Sequence, residues 1–130
     1  MTKQSNLLGT GIDLVEISQL KKAVSRYGDK FLQRIYTERE RAYCRDRRNN
    51  YEHLSARFAA KEAVRKAFGH YSSGLKWLEV EVENDGGGKP TINLSGQAKA
   101  LAESIGLKEI LVTISHSRRF AVAQALLIGE

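Results

Sequence analysis

Hydrophobic and polar positions along this chain switch repeatedly between two periods, and the switches mark out its elements. Leu7 to Asp13 is an apolar run punctuated by glycine, which predicts a short buried strand. From Val15 to Val24 the apolar residues fall at helical spacing, so the strand runs into a helix that Gly28 ends. Phe31, Leu32 and Ile35 predict a short apolar helix or turn, and Thr37-Glu38-Arg39-Glu40 is a capping-box pattern opening a charged helix toward Arg48, closed by Asn49 and Asn50. His53 to Phe68 is the strongest helical signal, rich in alanine and straight-chain residues and stopped by Gly69. His70 to Gly74 reads as a turn. Alternation from Leu78 to Glu83 predicts a half-exposed strand, and Asn84 to Pro90 a turn that returns Thr91 to Leu94 antiparallel to it. Ser95 is placed to cap a helix ending at Gly106. Glu109 to Ser115 and Phe120 to Ile128 then form a terminal hairpin around Ser117-Arg118-Arg119, and the second strand, apolar but for Gln124, calls for cover on both faces. Helices and strands thus alternate, without repeats or an obvious linker.

Composition narrows this picture. A chain of 130 residues has single-domain length, with residues 1–130 expected as one unit able to build a core without staples. The single Cys44 excludes an intramolecular disulfide framework and a cysteine zinc site, which fits a reducing compartment and a cytoplasmic location. The residues after Met1 contain too brief an apolar stretch for an export signal, and no run of membrane-spanning length occurs, so a soluble protein without a membrane partner is expected. The formal net charge of +6 points to an anionic partner. The excess is weighted toward Lys21, Lys22, Arg26 and the arginines from Arg34 to Arg48, a distribution that solvated helix faces would also produce.

Two acids stand out because each sits in an apolar run: Asp13 in Gly11-Ile12-Asp13-Leu14-Val15-Glu16-Ile17, and Glu62 in Arg57-Phe58-Ala59-Ala60-Lys61-Glu62-Ala63. Burying an unpaired carboxylate costs several kcal/mol, so each is expected to be capped, ion-paired or engaged with a hard metal ion. Asp13 and Glu16 have the D-x-x-E spacing of a helix cap. Glu62 and Lys66 have the spacing of a surface ion pair, although Phe58, Glu62 and Lys66 also form one helical stripe that could face a cleft. His116 shares a strand face with Ile110, Val112 and Ile114, either as an edge residue or as a base or phosphate donor. The Gly86-Gly87-Gly88-Lys89-Pro90 segment lacks the strand–loop–helix context of a nucleotide fingerprint and reads as a hairpin turn from which Lys89 could touch a phosphate.

Together with Lys66-Ala67-Phe68-Gly69, Gly88-Lys89-Pro90 and Ile114-Ser115-His116-Ser117, in this order and separation, these segments closely resemble the bacterial holo-acyl-carrier-protein synthases. The resemblance spans essentially the whole chain after the first few residues. It implies the α+β 4′-phosphopantetheinyl transferase fold, an antiparallel sheet with packed helices, assembled as a trimer with active sites shared between subunits. It also implies transfer of the 4′-phosphopantetheine arm of coenzyme A to a serine of apo acyl carrier protein, in support of fatty acid biosynthesis. Under that resemblance Asp13 and Glu62 match the acids that bind Mg2+, with Mn2+ as an alternative, and Lys66 matches a lysine at the transferring phosphate. His116 lies in the motif beside the nucleotide, and Arg57, Lys89, Pro90 and Ser117 are candidate contacts to coenzyme A. Lys21, Lys22 and Arg26 occupy the helix that docks the acidic carrier, while Gln19 stands where relatives often have arginine.

Two other readings compete. A basic nucleic-acid-binding domain would explain the arginines between Arg34 and Arg48 but leave Asp13 and Glu62 without a role. A magnesium-dependent phosphohydrolase would explain the two acids, yet needs more carboxylates or a second metal.

Overall fold

The computed structural model describes residues 6–130, so the expectation about the segment from Met1 to Ser5 lies outside the described residues. Strand β1 (Asn6–Glu16) leads into α1 (Ile17–Tyr27), α2 (Asp29–Ile35), α3 (Glu38–Arg45) and the long helix α4 (Asn50–Ala67). Two short 3-10 turns, Gly69–Gly74 and Trp77–Glu79, precede β2 (Val80–Asn84), β3 (Pro90–Leu94), α5 (Gly96–Ser104), β4 (Leu107–His116) and β5 (Phe120–Gly129). All strand pairings are antiparallel. The larger sheet has the order β1-β5-β4, and β2 and β3 form a separate hairpin, an α+β arrangement as expected.

Helix α4 lies across the larger sheet, and its seat is made of small residues. Ala59, Ala60 and Ala63 on the helix are completely buried, as are Ala121 and Ala125 on β5. On β1, a Cβ added to Gly9 would stand 2.0 Å from the Ala67 carbonyl oxygen, and one added to Gly11 would stand 2.0 Å from that of Ala63. Only glycine lets strand and helix backbones approach this closely. Leu20, Ile35, Val64, Phe68, Val80 and Val112 extend the core around this seam.

Several local expectations hold. Thr37 and Glu40 form the reciprocal capping box at the start of α3, and Gly69 follows α4 at φ 64°. The β2–β3 and β4–β5 hairpins pair as anticipated. Others are corrected. Pairing of β1 with β5 continues to Glu16 opposite Phe120, so Asp13 is mid-strand and caps nothing; α1 starts at Ile17 after Glu16, whose side chain makes no cap bond. Helix α3 ends at Arg45 rather than Arg48, and α4 begins at Asn50, before His53. The strand predicted from Leu78 begins at Val80, because Trp77–Glu79 winds into a 3-10 turn that leaves Leu78 exposed. Ser95 precedes α5 without a side-chain cap bond; instead the Glu79 carboxylate accepts the Gln97 amide at 3.0 Å. On β5, Ala121, Ala123, Ala125 and Leu127 are buried, whereas Gln124 on the opposite face is exposed.

Candidate functional site

The seam between β1 and α4 sets the geometry of the acids. Because alternate β1 residues point to the same face, Gly11, Asp13 and Val15 turn toward the helix while Ile12 and Leu14 turn outward and stay exposed. Asp13 therefore meets α4 one turn beyond the glycine contact. Lys66 Nζ donates to Asp13 Oδ1 at 2.8 Å and to the Ile12 carbonyl at 3.2 Å. The i,i+4 pair expected between Glu62 and Lys66 is absent: the lysine is drawn to the strand aspartate instead. Glu62 Oε1 accepts from Trp77 Nε1–H and from Arg65, each at 2.6 Å.

Asp13 and Glu62 line one cleft, together with Phe58, Leu20, Gln19 and Glu16. Of the stripe of Phe58, Glu62 and Lys66, the first two line this cleft, and Lys66 reaches its edge through Asp13. Oxygen ligands of this kind suit a small, hard divalent cation that keeps part of its water shell. Sequence reasoning missed Trp77 and Arg65, and it took Glu16 only as a capping partner. Glu16 accepts from the Ser18 hydroxyl at 2.7 Å at the strand–helix junction. Periodicity carries no signal for Trp77, which reaches Glu62 from the far side of a turn.

Of the remaining candidates, Arg57 lies on α4, Lys89 and Pro90 at the β2–β3 turn, and His116 and Ser117 at the end of β4. Arg57 is buried, with its guanidinium 3.8 Å from the centre of the Tyr43 ring, and it donates to Asn84 Oδ1 at 2.7 Å. Asn84 in turn donates to the Gly88 carbonyl at 2.9 Å, which brings Arg57 beside the turn carrying Lys89 and Pro90. The Asp85 carboxylate accepts the Gly87 and Lys89 amides, an Asx-type closure that confirms the hairpin reading of this segment. Arg47 also lies 3.8 Å from the Tyr43 ring centre, and the His53 ring packs against Tyr43 in T-shaped fashion with ring centres 5.8 Å apart. His53 is 6.1 Å from the His116 ring, and His116 Nδ1 stands 3.5 Å from Glu52 Oε2. Burial, followed by the charges of Arg47 and Arg57, holds the His53 imidazole below its ordinary pKa. Ser117 closes the β4–β5 turn, its hydroxyl accepting the Arg119 and Phe120 amides at 3.3 Å.

Lys21, Lys22 and Arg26 are exposed on α1, with Lys21 Nζ 5.5 Å from the centre of the Tyr51 ring. The arginines between Arg34 and Arg48 are not one free strip, since Arg39 pairs with Glu83 and Arg47 lies over Tyr43. No described helix is long and apolar enough to cross a membrane.

Comparison with known proteins places this arrangement among relatives. The chain is 43% identical over 122 residues to the holo-[acyl-carrier-protein] synthase of Solibacter usitatus, covering 93% of this chain and 98% of the relative. It superposes with a TM-score of 0.77 and 34% identity on a holo-(acyl-carrier-protein) synthase from Bacillus anthracis in complex with CoA (3′,5′-ADP), covering 98% of this chain and all of that one. The ACPS–CoA complex of Chronobacterium ammoniagenes gives 0.82 at 34% identity, covering 94% and 97% of the two chains. Residues 9–125 match the 4′-phosphopantetheinyl transferase superfamily, and with relatives at this identity over nearly its whole length the chain belongs to that family.

Proposed function

We propose that the chain is a magnesium-dependent holo-[acyl-carrier-protein] synthase, acting as one transferase domain. It moves the 4′-phosphopantetheine of coenzyme A onto a serine of apo acyl carrier protein, releases adenosine 3′,5′-bisphosphate, and so supports fatty acid biosynthesis. The observation that carries this reading is the meeting of Asp13 and Glu62, from segments far apart in the chain, at one cleft, with Lys66 bound to the Asp13 carboxylate.

Asp13 and Glu62 would hold Mg2+, or Mn2+ in its place, and both fit it as oxygen donors lining a shared cleft. The ion, when bound, neutralises pyrophosphate charge and orients its oxygens. Lys66, half exposed beside Asp13, has the reach to exchange that carboxylate for a phosphate oxygen and to offset charge that builds there in the transition state. Arg57, Lys89, His116 and Ser117 offer guanidinium, ammonium, imidazole and hydroxyl donors for coenzyme A, with Pro90 next to Lys89 at the start of β3. Lys21, Lys22 and Arg26 present positive charge to an acidic carrier protein, a long-range attraction that quickens encounter.

The cleft that Asp13 and Glu62 line is not lined by Arg57, Lys89, Pro90, His116 or Ser117, and Ile12 and Leu14 are 62% and 64% exposed on the outer face of the sheet. Both features support a trimer in which neighbouring subunits share each site. A cytoplasmic location agrees with the buried, unpaired Cys44.

The test is incubation with coenzyme A, Mg2+ and apo acyl carrier protein, followed by the intact mass of the carrier. A gain of one phosphopantetheine, lost with chelator, is expected. Asp13→Asn and Glu62→Gln should each lower the rate by on the order of 10²–10³, the loss of several kcal/mol of transition-state stabilisation. No gain across several carriers and metals would overturn the reading.

A further inference from the structure

We propose that Arg65 and Trp77 are positioning residues that make Glu62 a one-oxygen ligand, and thereby fit the cleft to a small divalent cation in preference to Ca2+. The inference rests on Glu62 being a metal ligand. Among the described residues, each hydrogen bond reaching this carboxylate ends on Oε1: the Trp77 indole N–H and an Arg65 guanidinium N–H both donate to it at 2.6 Å. Oε2 is left as the donor oxygen for the cleft. The clamp is itself supported, because the Arg65 guanidinium lies over the Trp77 ring at 4.7 Å and Phe58 packs beside that ring at 6.3 Å. Arg65 is one helical turn from Glu62, whereas Trp77 comes from the 3-10 turn before β2, so the carboxylate is tied to two separate elements.

A carboxylate with one oxygen occupied by two donors is hindered from ligating through both. Ca2+ accepts six to eight oxygens at flexible geometry and often takes a carboxylate in bidentate fashion, while Mg2+ and Mn2+ sites favour single oxygens in octahedral positions. Groups that orient a ligand in this way commonly change metal affinity by about 10–100-fold when removed. Arg65 also places a positive charge near the cation, so its removal mixes lost orientation with relieved repulsion. Trp77→Phe keeps the ring and the net charge and deletes only the N–H donor; it is the decisive variant.

The experiment measures binding of Mn2+ and of Ca2+ by calorimetry, with coenzyme A present and no carrier protein, so that nothing turns over. Wild type, Trp77→Phe and Glu62→Gln are compared after circular dichroism confirms that each is folded. Trp77→Phe is expected to weaken Mn2+ by about tenfold or more and Ca2+ by much less, narrowing the preference between them. Equal loss for both ions, or unchanged Mn2+ affinity while Glu62→Gln loses it, would overturn the clamp and leave Glu62 as a ligand. Unchanged Mn2+ affinity in Glu62→Gln would overturn the ligand assignment itself. Trp77 is the only tryptophan, so quenching or a shift of wild-type emission on adding Mg2+ is a second expected signature, and its absence at saturating Mg2+ would count against the contact.

Discussion

Glu40 and Lys61 have no solvent exposure at their side chains and meet at 2.6 Å. Glu40 Oε1 also accepts the Thr37 amide, and Oε2 accepts the Val82 amide, each at 2.8 Å. One carboxylate therefore completes the α3 cap, holds β2 and balances a lysine on α4. Burial lowers the Lys61 pKa, and attraction to Glu40 works against that shift. Glu40→Ala should destabilise the fold by about 3–5 kcal/mol, because it strands a buried charge; urea unfolding at pH 7 would measure this. Adding Lys61→Met should recover only part of the loss, since the Thr37 and Val82 amides stay without their acceptor. Cys44 lies in the same region, buried, with its thiol pushed up to about 11 chiefly by burial. It should resist a neutral-pH thiol reagent in the folded protein and react fully in denaturant.

At the scale of elements, the contact between β1 and α4 decides where the acids stand. Gly11→Ala would place a methyl 2.0 Å from the Ala63 carbonyl oxygen and 2.7 Å from the Ala67 nitrogen, with backbone rather than flexible side chain as its neighbour. The expected cost is about 1–3 kcal/mol in thermal unfolding, with Mn2+ binding falling further than stability predicts because Asp13 shifts from Glu62. Elements whose signals are local were legible in sequence: the Thr37 capping box, the alanine-rich α4 and the hairpin turns. The D-x-x-E spacing at Asp13 misled because a cap contributes about 1 kcal/mol, less than the run of ladder bonds to β5. Pairing of β1 with β5 joins the two ends of the chain and has no local signature. For the same reason the acids were legible as odd residues in apolar runs, while the partners they chose, Lys66 across to Asp13 and Trp77 across to Glu62, were not.

For the whole molecule, the outer face of the larger sheet carries Ile12, Leu14 and Leu111 beside Val122, an exposed apolar surface that a neighbouring copy would cover. Light scattering after gel filtration should give three times 14.6 kDa, and Leu14→Glu should shift the protein toward monomer and lower transfer with it. A monomeric wild type at micromolar concentration would remove the trimer from the proposal. The pleat of β1 carries a further consequence. Its pairing with β5 is irregular between Leu7 and Gly9 and regular from there to Glu16, so each position in that stretch has a fixed parity. Deleting one residue between Gly9 and Asp13 would turn the carboxylate outward and drive an aliphatic side chain at the helix. Removing two would restore the facing. In this segment chain length behaves as an odd–even switch, and any natural or engineered variation in it can proceed only by pairs.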